Sequence, residues 1–204
     1  MADPVLELHA PDGVVITNDD WKDSQEQEVV GTGIPPTNDL ESAIVAPLEP
    51  GAYTAVVRGK YGESGVGLVE LYDLDEAVSK LPNISRRGFV GSGDNVIIAG
   101  IILAGENNIA LVVRGLGPSL SDFGVTDFLQ DPTLDLYDVN GTAIASNDNW
   151  RDLQEAALQA SSLAPNDDRE PALLVELTQG TYTAILRGMD DRSGIGLIEV
   201  HNLQ

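Results

Sequence analysis

The sequence predicts an all-β protein made of antiparallel β-sandwich or jelly-roll modules in tandem, with one short helix in each module. Two observations support this fold class. Short segments that alternate apolar and polar residues are separated by turn-forming pairs such as Asn140-Gly141. The sequence also contains no repeated long helical segments of the kind that connect the strands of a parallel α/β sheet. Several short strands with turns between them are typical of a sandwich.

A repeat relates the first part of the chain to its last part. The segment "PGAYTAVVRG" at residues 50–59 matches "QGTYTAILRG" at residues 179–188. The segment "SGVGLVELYDL" at residues 64–74 matches "SGIGLIEVHNL" at residues 193–203. A shared pattern of this length indicates that one structural unit is present twice.

The segment between the two copies, residues 77–130, has no counterpart in this chain. We therefore predict a first β-sandwich module at residues 1–79, which would lack its N-terminal half. A second, complete β-sandwich module is predicted at residues 80–204. The unrepeated segment is also predicted to be rich in strands, at "RGFVGSG", "NVIIAGIILAG" and "NIALVVRGLG", and the apolar run at residues 96–105 is typical of a buried strand.

The second copy gives the order of the elements. Leu134 and Leu136 alternate with Asp135 in a half-buried strand, and Asn140-Gly141 is a strong signal for a hairpin to the return strand "TAIAS". A helix is predicted next, at residues 153–162, with Leu153, Ala156 and Ala157 on one face. Three strands follow, at residues 171–177, 181–188 and 194–203.

Composition excludes several classes of function. The chain has 33 acidic and 11 basic residues and a net charge of -22, so we expect neither nucleic acid nor an anionic membrane as a partner. Its longest apolar run, residues 96–105, is about half the roughly 20 residues of a membrane span, so we expect no membrane insertion. The absence of cysteine excludes disulfides and thiol chemistry. The sequence pairs no nucleophile with a base, so we expect no enzyme.

Each copy carries an acidic loop around a tryptophan, "ITNDDWKD" at residues 16–23 and "ASNDNWRD" at residues 145–152. A second acidic group follows at residues 38–41 and 167–170. Calcium takes six to eight oxygen ligands, so two such groups could close around one ion. The candidate ligands are Asn18, Asp19, Asp20, Asp23, Asp39 and Glu41 in the first copy and Asn147, Asp148, Asn149, Asp152, Asp168 and Glu170 in the second.

Helix capping is the alternative interpretation of these loops. Asp20-x-x-Asp23 and Asn149-x-x-Asp152 have the spacing of an N-cap residue with an acid three residues later. Asn and Asp are also ordinary turn residues, and the tryptophans would then cover the core beneath the loops. Capping and calcium binding can coexist, so the sequence leaves both interpretations open.

The string "LYDVNGTAIASNDNW … LTQGTYTAILRG … SGIGLIEV" resembles the bacterial pre-peptidase C-terminal domain, a jelly-roll module. A longer string, "LPNISRRGFVGSGDNVIIAG … VVRGLGPSL … DPTLDLYD … SNDNWRD … YTAILRG", is similar to tandem repeats at the C-termini of large secreted or surface proteins of environmental bacteria. These resemblances imply an extracellular or cell-surface location and a non-catalytic role in stalks, adhesion or attachment. Some pre-peptidase-like modules bind calcium.

From the sequence we therefore expect a structural or adhesive repeat module, a calcium-stiffened unit of a surface stalk or fibre. The alternative is an accessory module of a secreted hydrolase that binds carbohydrate or protein. The expected partners are neighbouring modules or copies of the chain itself, joined by strand addition at open sheet edges, and a surface glycan or protein.

Overall fold

The structure, a computed structural model, describes residues 1–74, 83–104 and 107–203. The chain divides into two compact units, Met1–Ser79 and Lys80–Gln204. The boundary predicted between residues 79 and 80 lies outside the described residues, as do residues 77–82, Gly105 and Glu106 of the predicted strand-rich segment. Each unit is described by itself.

The second unit is an antiparallel sandwich of two four-stranded sheets. The strands are β4 (Asn83–Val90), β5 (Ile97–Leu103), β6 (Ile109–Leu116), β7 (Pro132–Tyr137), β8 (Ala143–Asn147), β9 (Ala172–Leu177), β10 (Gly180–Gly188) and β11 (Gly194–Asn202). One sheet has the order β5-β10-β7-β8 and the other has the order β4-β11-β6-β9. The all-β prediction is confirmed.

One core holds the two sheets together. Leu134 and Leu136 of β7, Leu186 of β10 and Ile198 of β11 are at most 1% exposed and belong to a single cluster of buried side chains from both sheets. Alternate residues of each strand point into this cluster, as the pleat of a strand requires. Burial of the apolar inner faces is the main source of stability for such a sandwich.

The predicted hairpin between β7 and β8 is confirmed. Gly141 has a φ of 75°, a left-handed conformation that glycine adopts without steric penalty. The Asp138 carboxylate accepts hydrogen bonds from the backbone N–H groups of Thr142 and Asn140, at 2.8 and 2.9 Å. These hydrogen bonds, led by the one from Thr142, lower the pKa of Asp138 because they favour its charged form.

The helix of the second unit, α2 (Glu155–Ala160), is shorter than the predicted segment at residues 153–162. Leu153 is 67% exposed, whereas Leu158 is fully buried, so the predicted apolar face is wrong. The Gln154 side chain explains the difference. Its amide bonds both the C=O and the N–H of Leu174 on β9, at 2.8 and 2.9 Å, which fixes the chain just before the helix begins.

The first unit contains one three-stranded sheet with the order β2-β1-β3. Its elements are β1 (Pro4–His9), β2 (Val15–Asn18), the helix α1 (Glu26–Gly31) and β3 (Thr54–Gly59). Residues 64–74 are not in a strand, although their counterparts form β11. Within the described residues, the first unit therefore presents a single open sheet where the second unit presents a closed sandwich.

Candidate functional site

Asn147 ties the tryptophan loop of the second unit to strand β9. Its side chain is buried, accepts a hydrogen bond from the Ala172 N–H at 2.9 Å and donates one to the Asn149 C=O at 3.0 Å. Both polar ends of the amide are thus satisfied inside the protein. In this geometry Asn147 holds two backbone segments together.

Asn18 repeats this arrangement in the first unit. It accepts a hydrogen bond from the Ala43 N–H at 2.9 Å and donates one to the Asp20 C=O at 3.1 Å. The asparagine therefore recurs in both copies for the same reason, because in each copy it closes the base of the tryptophan loop.

The tryptophans cover apolar surface next to these loops. Trp150 is 3% exposed and packs in a small second core with Val112, Leu158 and Ala172. Trp21 is also buried. Each is fixed further through its backbone N–H, which donates to the C=O of Glu170 or of Glu41.

The helix-capping interpretation is wrong. The residues at the N-cap positions of α1 and α2 are Gln25 and Gln154, and neither makes a side-chain capping hydrogen bond. Asn149 precedes a 3-10 turn at Trp150–Asp152, also without a side-chain capping bond. The backbone explains this result. After Asn149 it makes one tight turn, and the helix begins directly after Gln154, whose side chain is hydrogen-bonded to β9.

Two of the predicted calcium ligands, Asp39 and Asp168, instead meet basic side chains. The Asp168 carboxylate lies 2.5 Å from Arg151 Nε, and the Asp39 carboxylate lies 2.5 Å from Lys22 Nζ. Arg151 also pairs with Glu155. In both copies, the cation that joins the second acidic group to the tryptophan loop is a side chain of the protein.

Glu170 is a buried structural carboxylate. It is 0% exposed, and its Oε1 accepts hydrogen bonds from the backbone N–H of Gly117 at 2.8 Å and of Ser119 at 2.9 Å. The Ser119 hydroxyl also donates to this carboxylate, at 2.7 Å. These bonds fix the turn that follows β6 against the turn that precedes β9. Its counterpart Glu41 is exposed and accepts one bond, from the Asn38 N–H at 3.3 Å.

Asp19 and Asp20 of the first tryptophan loop lie beside Asp3 at the start of β1. One carboxylate oxygen from each lies within 4.8 Å of the others. Lys60 lies against this cluster, with its Nζ 2.6 Å from Asp19 and 3.4 Å from Asp3. The Oδ1 atoms of the three carboxylates accept no hydrogen bond from the described residues. Burial raises the pKa of Asp20, and the hydrogen bond to Asp19 raises the pKa of Lys60.

The equivalent site in the second unit differs at two residues. Asp131 and Asp148 match Asp3 and Asp19, but Asn149 stands where the first copy has Asp20 and Met189 stands where it has Lys60. Burial, helped by Asp131, raises the pKa of Asp148. The second cluster therefore lacks the counterpart of the lysine. Lys60 is not among the residues predicted from the sequence, although the difference between Lys60 and Met189 in the repeat is a signal that could have identified it.

The remaining candidates lie at the surface of the tryptophan loops. Asn149 donates hydrogen bonds from Nδ2 to Asp148 at 3.2 Å and to Asp152 at 3.4 Å. Asp23 is exposed, and its backbone N–H donates to the Asp20 C=O at 3.0 Å. The Asn149 side chain and the Asp23 backbone therefore stabilise the loop conformation locally.

An open concavity lies over the outer face of β7 and β10. Tyr137, Thr181, Thr183 and Arg187 contribute to its lining. The Arg187 guanidinium is held by Asp135 at 2.8 Å.

Among the described residues, no helix has the length and apolar character needed to cross a membrane.

By its fold, the second unit belongs to the class of two-sheet antiparallel β-sandwiches. Among solved structures, the chain is similar to the pre-peptidase C-terminal domain of a collagenase from Bacillus anthracis, with 12% sequence identity and a TM-score of 0.37 over 58% of this chain and 88% of that chain. At this TM-score the likeness carries no argument about function. No family model and no curated protein matches the chain.

Proposed function

We propose that the protein is a non-catalytic, extracellular structural or adhesive repeat module. One observation supports this proposal most strongly: the buried asparagine that recurs in both copies, Asn18 or Asn147, holds two backbone segments together. Asn147 and Glu170 are buried and engaged with backbone N–H groups, so neither is available to a substrate. The structural use of the two asparagines accounts for their repetition without any catalytic role.

The path of the chain through the second unit refines this role. Strands β4 and β11 are antiparallel neighbours, and Asn83 at the start of β4 pairs with His201 near the end of β11. The chain therefore begins and ends its path through the sandwich at the same place. Tension applied along the chain would open the ladder between β4 and β11 one hydrogen-bonded pair after another. This geometry favours a module that presents a surface over a rod that bears tension.

Single-molecule force spectroscopy on the full chain tests the proposal. Pulled through residues 80 and 204, the second unit is expected to unfold at low force. Pulled through cysteines placed at Asn83 and Gly194, opposite ends of the β4–β11 pair, it is expected to resist more, because many ladder bonds then break together. Equal resistance in the two directions would contradict the presenting-module proposal and favour a tension-bearing stalk.

An accessory module that binds carbohydrate is the second candidate function. The open concavity with Thr181, Thr183 and Arg187 favours it, because hydroxyl and guanidinium groups there can bond sugar hydroxyls. A glycan array discriminates the two functions. Binding that is lost in Thr183→Glu, with the folded state retained, would establish the accessory role, whereas the structural proposal predicts no binding.

We propose further that Asp3, Asp19 and Asp20, the cluster beside Lys60, bind calcium. Lys60→Met places the second copy's residue at this position, keeps all three aspartates and removes the internal cation of the cluster. We expect this variant to be less stable than the parent chain in chelator, because the aspartates then repel one another. Calcium should restore its stability by about 2.7 kcal/mol at a hundredfold excess over the dissociation constant.

Thermal unfolding with calcium and with chelator measures this effect. Lys22→Met is the matched control, because Lys22 pairs with the exposed Asp39 and lies outside the cluster. Its stability should not depend on calcium. If millimolar calcium leaves the unfolding of Lys60→Met unchanged, the cluster is a charge network only and calcium has no role there.

A further inference from the structure

The first unit exposes apolar side chains that its counterpart buries. Val69 and Leu71 are 44% and 58% exposed. The equivalent residues of β11, Ile198 and Val200, are 1% and 8% exposed. Strands β4 and β6 pair with β11 on its two sides, and the core shared by both sheets buries its apolar side chains. Among its described residues, the first unit keeps the apolar sequence of this central strand without counterparts of β4 and β6.

Glu70 gives a second, electrostatic observation. Its counterpart Glu199 on β11 is paired with Arg114 of β6 at 2.5 Å, in a half-buried position. Glu70 is exposed, and its carboxylate accepts a hydrogen bond from the Tyr72 hydroxyl at 3.1 Å. The first unit therefore carries the acidic half of an ion pair whose basic half comes, in the second unit, from the segment without a counterpart.

Glu41 gives a third observation at a different place. Its counterpart Glu170 is buried because the turn after β6 supplies the N–H groups of Gly117 and Ser119. That turn belongs to the same unrepeated segment. A carboxylate placed to accept those N–H groups is thus retained at position 41, where the described residues supply one donor, the Asn38 N–H. Three independent features of the first unit match one partner.

We propose that the first unit is an acceptor for a second half-repeat of the same kind as residues 83–119, which adds its strands beside residues 64–74 and closes the open sheet into a sandwich. The occupant is defined by chemistry. It brings apolar strands against Val69 and Leu71, an arginine against Glu70 and a turn rich in N–H donors against Glu41. Strand addition of this kind satisfies backbone groups at an open edge and buries the apolar face together.

The test extends the full chain with an added copy of residues 80–130, joined ahead of Asp3 as Gln130 is joined to Asp131. Hydrogen exchange of residues 64–74 is the measurement. In the extended chain we expect their amides to exchange about a hundredfold more slowly than in the parent chain, because they become part of a hydrogen-bonded sheet. The amides of β11 in the second unit should be unchanged and serve as the internal control.

A matched extension carries Arg114→Glu in the added copy only. It should lose the protection, and Glu70→Arg in the acceptor should restore it by exchanging the charges. Protection without dependence on this charge pair would contradict the proposed register. Unchanged exchange in the extended chain would overturn the proposal. So would residues 64–74 becoming protected with rising concentration of the parent chain, because the occupant would then be a second whole copy.

Discussion

Glu170→Ala is expected to destabilise the second unit by about 3 to 5 kcal/mol. The substitution removes a fully buried carboxylate and leaves the backbone N–H groups of Gly117 and Ser119 without an acceptor. Each buried donor left unpaired costs about 1 to 3 kcal/mol. Glu170→Gln should be milder, because its amide oxygen can still accept one or more of these bonds.

Urea unfolding followed by the fluorescence of Trp150, in a Trp21→Phe background, measures this loss. Glu41→Ala is the matched control, because Glu41 is the repeat counterpart and is exposed. Its effect on the first unit is followed by the fluorescence of Trp21, in a Trp150→Phe background. Its effect should stay within about 0.5 kcal/mol. If the two alanine substitutions shift the urea midpoint equally, Glu170 does not anchor the turn after β6 as the structure indicates. The slope of the unfolding free energy against urea concentration should stay unchanged. This would confirm that the substitution lowers stability without changing how much surface is exposed on unfolding.

Leu186→Ala is expected to cost a similar amount, about 3 to 5 kcal/mol, because it removes a fully buried side chain from the centre of the sandwich. Its partner across the core is Gly115 of β6. A Cβ atom added to Gly115 would overlap Leu186 Cδ1 and would lie 3.2 Å from Pro171 Cγ. Gly115→Ala alone should therefore overpack the core and cost about 1 to 3 kcal/mol.

The double variant gives the sharper result. With Leu186 shortened, the methyl group at position 115 has room, so Gly115→Ala should become neutral or stabilising in that background. The two losses should then fail to add, with a coupling of about 0.5 to 3 kcal/mol, measured by the same urea unfolding. Additive losses would show that the two residues are not in contact. Val57→Ala, at the counterpart of Leu186 in the open sheet of the first unit, should cost less than Leu186→Ala because Val57 is only half-buried.

The local features of the fold were predictable. The alternation of Leu134 and Leu136 with Asp135 and the pair Asn140-Gly141 specify a strand and a hairpin from neighbouring residues alone. The start of helix α2 was not predictable in this way. It depends on Gln154 bonding to Leu174, which lies 20 residues further along the chain. The apolar face of the helix shifted with it, from Leu153 to Leu158.

The candidate site was predictable as a repeated set of residues but not as an arrangement. The sequence identifies Asn147, Asp168 and Glu170 together, and the structure separates them by role. Asn147 closes a loop, Asp168 meets Arg151 at the surface, and Glu170 is buried. Carboxylates of the same chemistry take different roles because burial and the partner group set the environment of each one.

The sequence by itself determined that this protein consists mainly of strands, that part of it is a repeat, and that an acidic loop with a tryptophan occurs in both copies. These are local or repeated patterns, so they can be recognised without knowledge of distant contacts. Only the tertiary structure decided that Glu170 accepts hydrogen bonds from residues more than 50 positions away. Only it showed that Ile198 is buried while Val69, its repeat counterpart, is exposed. The physical reason is that a residue is buried only when another segment packs over it. The second copy packs against such a segment, residues 83–119, which has no counterpart in the first copy.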